Sequence, residues 1–278
     1  MLIIGAMKSG TTGLFVDLAR HPDFYSSDEK EVNCLCKDDV LENAGLDSYA
    51  SLYRLAPESS LLCDASTAYA KRPDNEHVTE RATRVLGSDF QVIYIVRNPL
   101  QRVVSQYKHE AALGMIDMSV NEAVKAYPRL INYSRYHYQI MPWIDSIGLS
   151  RVRIVKFEDY VANREATVRE LWDFLGLDSS LGMLKIGEVV NQSERKPVLN
   201  GFWSSVRSSK IYKIVRPLTT LDTRRKIRQL VLPKAKKISS ELTSESKQFI
   251  VNELRDDLSK FREIPGYSHI TWDLTSTR

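Results

Sequence analysis

The chain has 278 residues, 43% apolar and 27% charged, with ten prolines and twelve glycines. That is the composition of an ordinary globular protein, and it excludes collagen-like, low-complexity and disordered chains. No apolar run approaches the roughly 20 residues of a membrane-spanning helix, and the net charge of +4 is too modest to mark a nucleic-acid binder by itself.

The charge is unevenly spread. Residues 195–237 hold thirteen Lys or Arg and one acid, Asp222. Such a segment suits phosphates, an acidic carrier or an anionic surface, and equally a solvated helical face. It does not alternate cations with aromatics as a channel for single-stranded nucleic acid does, so no nucleic-acid partner is expected. Three cysteines, Cys34, Cys36 and Cys63, with no C-x-x-C pair, argue against a disulfide framework or a zinc site. They fit a reducing compartment and a cytoplasmic location. The alternative is a lumenal domain separated from its anchor. No Pro-, Gly- or Ser-rich linker interrupts the chain, so residues 1–278 are expected to form one domain.

In chain order, Leu2-Ile3-Ile4 is a short apolar run of the buried-strand type. Gly5 through Thr12 (GAMKSGTT) follows as a loop. Leu14, Phe15, Leu18 and Ala19 then fall on one helical face, which His21-Pro22 ends. A loop between a strand and a helix gathers backbone N–H groups and the positive end of the helix dipole on one spot, which suits an anion. Lys8 adds a mobile cation, and Ser9, Gly10, Thr11 and Thr12 add amides and hydroxyls. A nucleotide triphosphatase loop reads GxxxxGK[ST] and pairs with an acidic strand end that holds Mg²⁺. Here Lys8 precedes Gly10 by two residues, and the later strand ends in Arg97. No metal requirement is expected.

Gln91–Val96 is a run of strong strand formers. Arg97-Asn98-Pro99 follows, with Pro99 placed to open a helix. Leu100, Val103, Val104, Tyr107 and Ala111 trace the core face of that helix. Gln101, Ser105 and His109 form a polar stripe at i, i+4 spacing. Arg97 and Ser105 make a second anion site: a fork of donors plus a hydroxyl at the carboxyl end of a strand. The segment 113–150 is expected to form helices over the site. Val152–Phe157 is a third strand, followed by a helix with Val168, Leu171, Trp172 and Leu175 inward and Gly176 as its stop. Residues 202–261 read as two or three amphipathic helices, the clearest being Ser244–Phe261. Strands alternating with helices indicate an α/β fold with a mostly parallel central sheet flanked by helices.

Two anion sites of these types, each on a strand-to-helix turn, resemble the PAPS-dependent sulfotransferase family (PAPS being 3'-phosphoadenosine-5'-phosphosulfate). Lys8–Thr12 is similar to its 5'-phosphosulfate motif and Val96–Tyr107 to its 3'-phosphate motif. The likeness continues through Arg20-His21-Pro22, Lys30-Glu31-Val32-Asn33, Asp64–Tyr69, Lys156–Tyr160 and Phe174–Leu177. It closes with Leu254, Leu258, Gly266 and Trp272. It is closer to the carbohydrate and bacterial branch: Gly13 stands where cytosolic members usually have Trp. Ala65 stands where several heparan enzymes have Lys, which speaks against a heparan-like acceptor.

The resemblance implies a P-loop-like three-layer fold and transfer of a sulfuryl group from PAPS to a hydroxyl or amine, leaving 3',5'-ADP. It implies donor binding by Lys8, Ser9, Gly10, Thr11, Thr12, Arg97 and Ser105, with Arg195 and Lys196 closing over the 3'-phosphate. Lys8 would act in catalysis, and Glu31 or His109 would be the base. The acceptor is left open among carbohydrate, lipid and small metabolite. A P-loop kinase using ATP, and a non-catalytic protein retaining the nucleotide pocket, are the alternatives.

Overall fold

The computed structural model describes residues 1–27, 30–182 and 240–274. Its centre is a five-stranded sheet of β1 (Leu2–Gly5), β2 (Phe24–Ser26), β3 (Leu61–Ala65), β4 (Val92–Val96) and β5 (Val152–Lys156), in the order β2-β3-β1-β4-β5. Every pairing is parallel. All five side chains of β4 are at 0% exposure. A strand covered on both faces needs no polar alternation, so it reads as one apolar run.

Helices cover both faces. On one side lie α1 (Thr11–Leu18) and α9 (Arg164–Phe174), which bring Leu14, Leu18, Val168, Leu171 and Trp172 against Ile3, Ile93 and Ile95. On the other, α3 (Val78–Leu86) and α7 (Tyr136–Ile147) pack Ala82, Tyr136, Ile140 and Trp143 against Ile4, Tyr94 and Val96. This is the three-layer α/β arrangement expected from the sequence. Beside it, α4 (Pro99–Ala112), α5 (Val120–Ala126), α6 (Arg129–Asn132) and the last described helix, α10 (Ser244–Arg262), share a separate cluster around Val103, Leu130 and Leu254. Among the described residues the remaining α-helices are α2 (Asn43–Ser51) and α8 (Phe157–Ala162).

Two expectations need correction. The third strand stops at Lys156, and Phe157 opens α8 rather than closing β5. Its ring is needed at the sheet's carboxyl end, where it lines the Gly10 turn. The single helix expected after that strand is two, α8 and α9, joined at Asn163. The whole basic run, 195–237, with Arg195 and Lys196, lies outside the described residues, as does the part of the expected 202–261 helices before residue 240.

After β1 the chain builds β2 and then β3 on one flank of the sheet, and it crosses to β4 on the other flank. The loops following β1 and β4 therefore leave the sheet side by side. In open α/β sheets this reversal opens the crevice in which ligands bind.

Candidate active site

The loop after β1 is built around two left-handed residues, Lys8 (φ 70°) and Gly10 (φ 92°). The Ser9 amide donates to the Ala6 carbonyl at 3.1 Å, tightening the turn. Gly10 cannot be replaced freely: its φ is disfavoured for L side chains, and a Cβ would stand 2.6 Å from the Phe157 ring. Gly10 is also the N-cap of α1, and no side chain caps that helix. The first-turn amides of a helix have no intrahelical acceptor, so this uncapped end is open to an anion. Ser9 and Thr11 are buried; Lys8 and Thr12 are half-buried. These features fit a phosphate-type group.

The second loop begins where β4 ends. Asn98 caps α4, its Oδ1 accepting from the amides of Leu100 (3.0 Å) and Gln101 (3.3 Å), with Pro99 in the first turn. The capped start fixes where Arg97 points. Its Nη1 donates to the Lys8 carbonyl at 3.3 Å, and its Nε and Nη2 donate to Gln101 Oε1 at 3.4 and 3.2 Å. The guanidinium also lies 4.8 Å from the centre of the Phe157 ring, a cation–π contact. Burial draws the Arg97 pKa below its ordinary value, against the opposing charge of Glu158. Ser105 and His109 sit one turn apart on α4, both half-buried.

Residues far downstream hold this loop. Tyr136 donates its hydroxyl to the Arg97 carbonyl at 2.5 Å. Glu158 accepts from the Asn98 amide at 2.8 Å and, through its other oxygen, from the Trp272 indole at 3.0 Å. The Trp272 ring packs 5.6 Å from that of Tyr136.

Glu31 occupies the opposite wall. Its backbone is left-handed (φ 64°), and its amide donates to the carbonyl of Ala65 at the end of β3. One carboxylate oxygen accepts from the Thr67 amide (2.8 Å) and hydroxyl (3.0 Å); the other accepts from Lys30 Nζ at 3.1 Å. Lys30 also reaches Thr11 Oγ1 at 3.4 Å, so it bridges the carboxylate to the phosphate loop. The Glu31 side chain keeps 37% of its surface exposed, enough to meet a substrate.

Behind Glu31, buried Asp64 accepts hydroxyl hydrogens from Ser66 (2.7 Å), Tyr69 (2.6 Å) and Tyr49 (3.0 Å). Burial raises the Asp64 pKa, and the three hydroxyls pull it back. Lys71 closes this side. Burial lowers its pKa, opposed chiefly by the charge of Glu31, and its ammonium lies 5.8 Å from the Tyr133 ring centre.

The structure thus links the loops that carry Lys8, Thr11, Glu31 and Arg97, through the Arg97 contact to the Lys8 carbonyl and the Lys30 contacts to Thr11 and Glu31. Asp64 entered sequence reasoning only within the Asp64–Tyr69 likeness, with no role assigned, and Lys71 and a buried polar face of α4 were passed over: Arg102, Gln106 and Glu110. Their i, i+4, i+8 spacing was visible, but such a stripe normally faces water.

Burial raises the Cys34 pKa and pushes that of Cys36 up to about 11, so both thiols resist ionisation near neutral pH.

A parallel α/β sheet with an uncapped strand-to-helix turn beside an arginine turn is a P-loop-like design. The sulfotransferase domain family matches residues 1–200. The fold is similar to that of a sulfotransferase from Alicyclobacillus acidocaldarius, with a TM-score of 0.64, 18% identity, and 95% of this chain and 94% of that one covered. It is also similar to a mouse sulfotransferase complexed with PAP, with a TM-score of 0.51, 15% identity, and 98% and 88% of the two chains covered. The chain therefore belongs to the PAPS-dependent sulfotransferase family. No described helix is long and apolar enough to cross a membrane.

Proposed function

We propose that this chain uses PAPS to sulfate a hydroxyl or amine of an acceptor, with Glu31 as the base. One observation carries the reading: Arg97 donates to the Lys8 carbonyl, so two anion-receptive turns adjoin across the switch point of the sheet. A donor with phosphates at both its 5' and 3' positions matches two adjacent sites. The mouse relative bound to PAP supports this donor.

When bound, PAPS supplies the activated sulfuryl group. The amides and hydroxyls from Ser9 to Thr12 hold the 5'-phosphate, and the Lys8 ammonium neutralises the charge that grows there during transfer. Arg97 and Ser105 hold the 3'-phosphate; Arg195 and Lys196, outside the described residues, are the candidates to join them. Glu31 takes the acceptor proton; Lys30 and Thr67 fix the direction of its carboxylate. His109 orients the acceptor and is the second candidate for the base.

A thermal-shift comparison tests the donor. 3',5'-ADP without metal should raise Tm more than ATP with Mg²⁺ at equal concentration, because a ligand of the folded chain stabilises it by an amount that grows with the logarithm of its concentration over its Kd. A larger rise with ATP and Mg²⁺ would replace this reading with a kinase. Binding of 3',5'-ADP without transfer to any member of a broad acceptor panel would favour a non-catalytic pocket.

A further inference from the structure

Arg102 is at 0% exposure in the middle of α4. Its described hydrogen bonds go to neutral acceptors. Nε donates to the Ser134 hydroxyl and Nη2 to the Leu130 carbonyl. Nη1 donates to Gln106 Oε1 at 2.8 Å and to the Met7 carbonyl at 3.4 Å. A buried cation is costly unless its charge is used, and an apolar side chain would fill the space without that cost.

Its position indicates the use. Met7 and Lys8 are successive residues of the phosphate loop, and two arginines hold their carbonyls: Arg102 that of Met7, Arg97 that of Lys8. The Met7 carbonyl shares a peptide plane with the Lys8 amide, so fixing one fixes the direction of the other. That plane also leads the chain into the left-handed conformation of Lys8. The direction of Nη1 is set in turn. Gln106 gives its Nε2 to Glu110 Oε1 at 2.7 Å, which leaves its Oε1 facing Arg102. Arg129 holds the other oxygen of Glu110 at 2.9 Å.

We propose that Arg102 is a positioning residue for the 5'-phosphosulfate cradle: it fastens the Met7–Lys8 peptide plane so that the loop faces the donor. This rests on reading the loop as the PAPS cradle.

The test is calorimetric titration of the full chain with two probes, 3',5'-ADP and adenosine 3'-monophosphate, which lacks the 5'-phosphate. Arg102→Lys keeps the charge but cannot serve these acceptors together. It should weaken 3',5'-ADP about tenfold, the scale of one charge-assisted hydrogen bond, and adenosine 3'-monophosphate less than about twofold. A purely structural arginine would affect both probes alike. Equal losses, or no loss for 3',5'-ADP, would overturn the proposal. If Arg102→Lys does not fold, Gln106→Met releases Nη1 while keeping the arginine. It should show the same selectivity at about threefold, and an unselective result there overturns the proposal as well. An unmutated chain that fails to bind 3',5'-ADP would remove the donor reading and this proposal together, and that failure is visible before any variant is made.

Discussion

The two walls of the crevice are built differently. The wall formed by the loops after β1 and β4 is mostly backbone: left-handed turns, an uncapped helix and carbonyls held by arginines. The opposite wall, from Lys30 to Lys71, is mostly side chain. Glu31 is held by Thr67 and Lys30, with Asp64 behind it and Lys71 beside it. A backbone cradle recognises a phosphate whatever the rest of the ligand is. A side-chain wall can be rewritten residue by residue, so acceptor choice can vary while the donor side keeps one design.

If that division is right, substitutions on the first wall should act on the donor and those on the second on transfer. Lys8→Ala should give the largest effect, because the role proposed for Lys8 is to meet charge that develops in the transition state. We expect kcat to fall about 10³-fold with the fold intact. A kcat within a few-fold of the parent would remove Lys8 from that role.

Glu31→Gln keeps the size and the Thr67 contacts but cannot accept a proton. Its kcat at saturating PAPS should fall about 10²-fold, with 3',5'-ADP affinity nearly unchanged. His109→Ala should be milder; an inactive His109→Ala beside an active Glu31→Gln would transfer the base to His109. Arg97→Ala should weaken 3',5'-ADP about tenfold more than 5'-AMP, since only the first carries a 3'-phosphate. Equal losses would place that phosphate elsewhere.

The smallest effect concerns Asp64, whose raised pKa has a stated sign. Between the ordinary carboxylate value and its raised value the folded chain holds a proton that the unfolded chain has lost. Stability from this group is therefore lost as pH rises through that window. Asp64→Asn should cost about 1–2 kcal/mol through weaker acceptance from Tyr49, Ser66 and Tyr69. Melting curves of parent and variant from about pH 4 to about pH 8 should show that deficit shrinking as pH rises. A deficit that grows instead would reverse the assignment.

What was legible follows the same division. The strand-loop-helix pattern, Lys8 and Arg97 stand out because backbone geometry forces Gly10 and a strand end into fixed sequence positions. The core of the third unit, Val168, Leu171 and Trp172, was equally plain from helical spacing. The roles of Lys71 and Asp64 were not: Asp64 entered only within the Asp64–Tyr69 likeness, and a lone acid inside a strand or a lone Lys beyond it carries no spacing signal. Their importance comes from what β3 brings next to Glu31. Arg102 was hidden for the opposite reason. Its helical period was clear, but an arginine on a polar stripe reads as solvent-facing until the fold lays α6 and the phosphate loop over it. Phe157 was read as the end of a strand because strand and helix both accept an aromatic there.

One fastening reaches beyond the finished molecule. Glu158 ties the Asn98 amide to the Trp272 indole, and Trp272 packs on the tyrosine that holds the Arg97 carbonyl. A ribosome makes Arg97 long before Trp272. During synthesis the turn at Arg97 can therefore form on Asn98, Tyr136 and Glu158 alone. Its last fastening arrives only when that tryptophan has emerged from the exit tunnel.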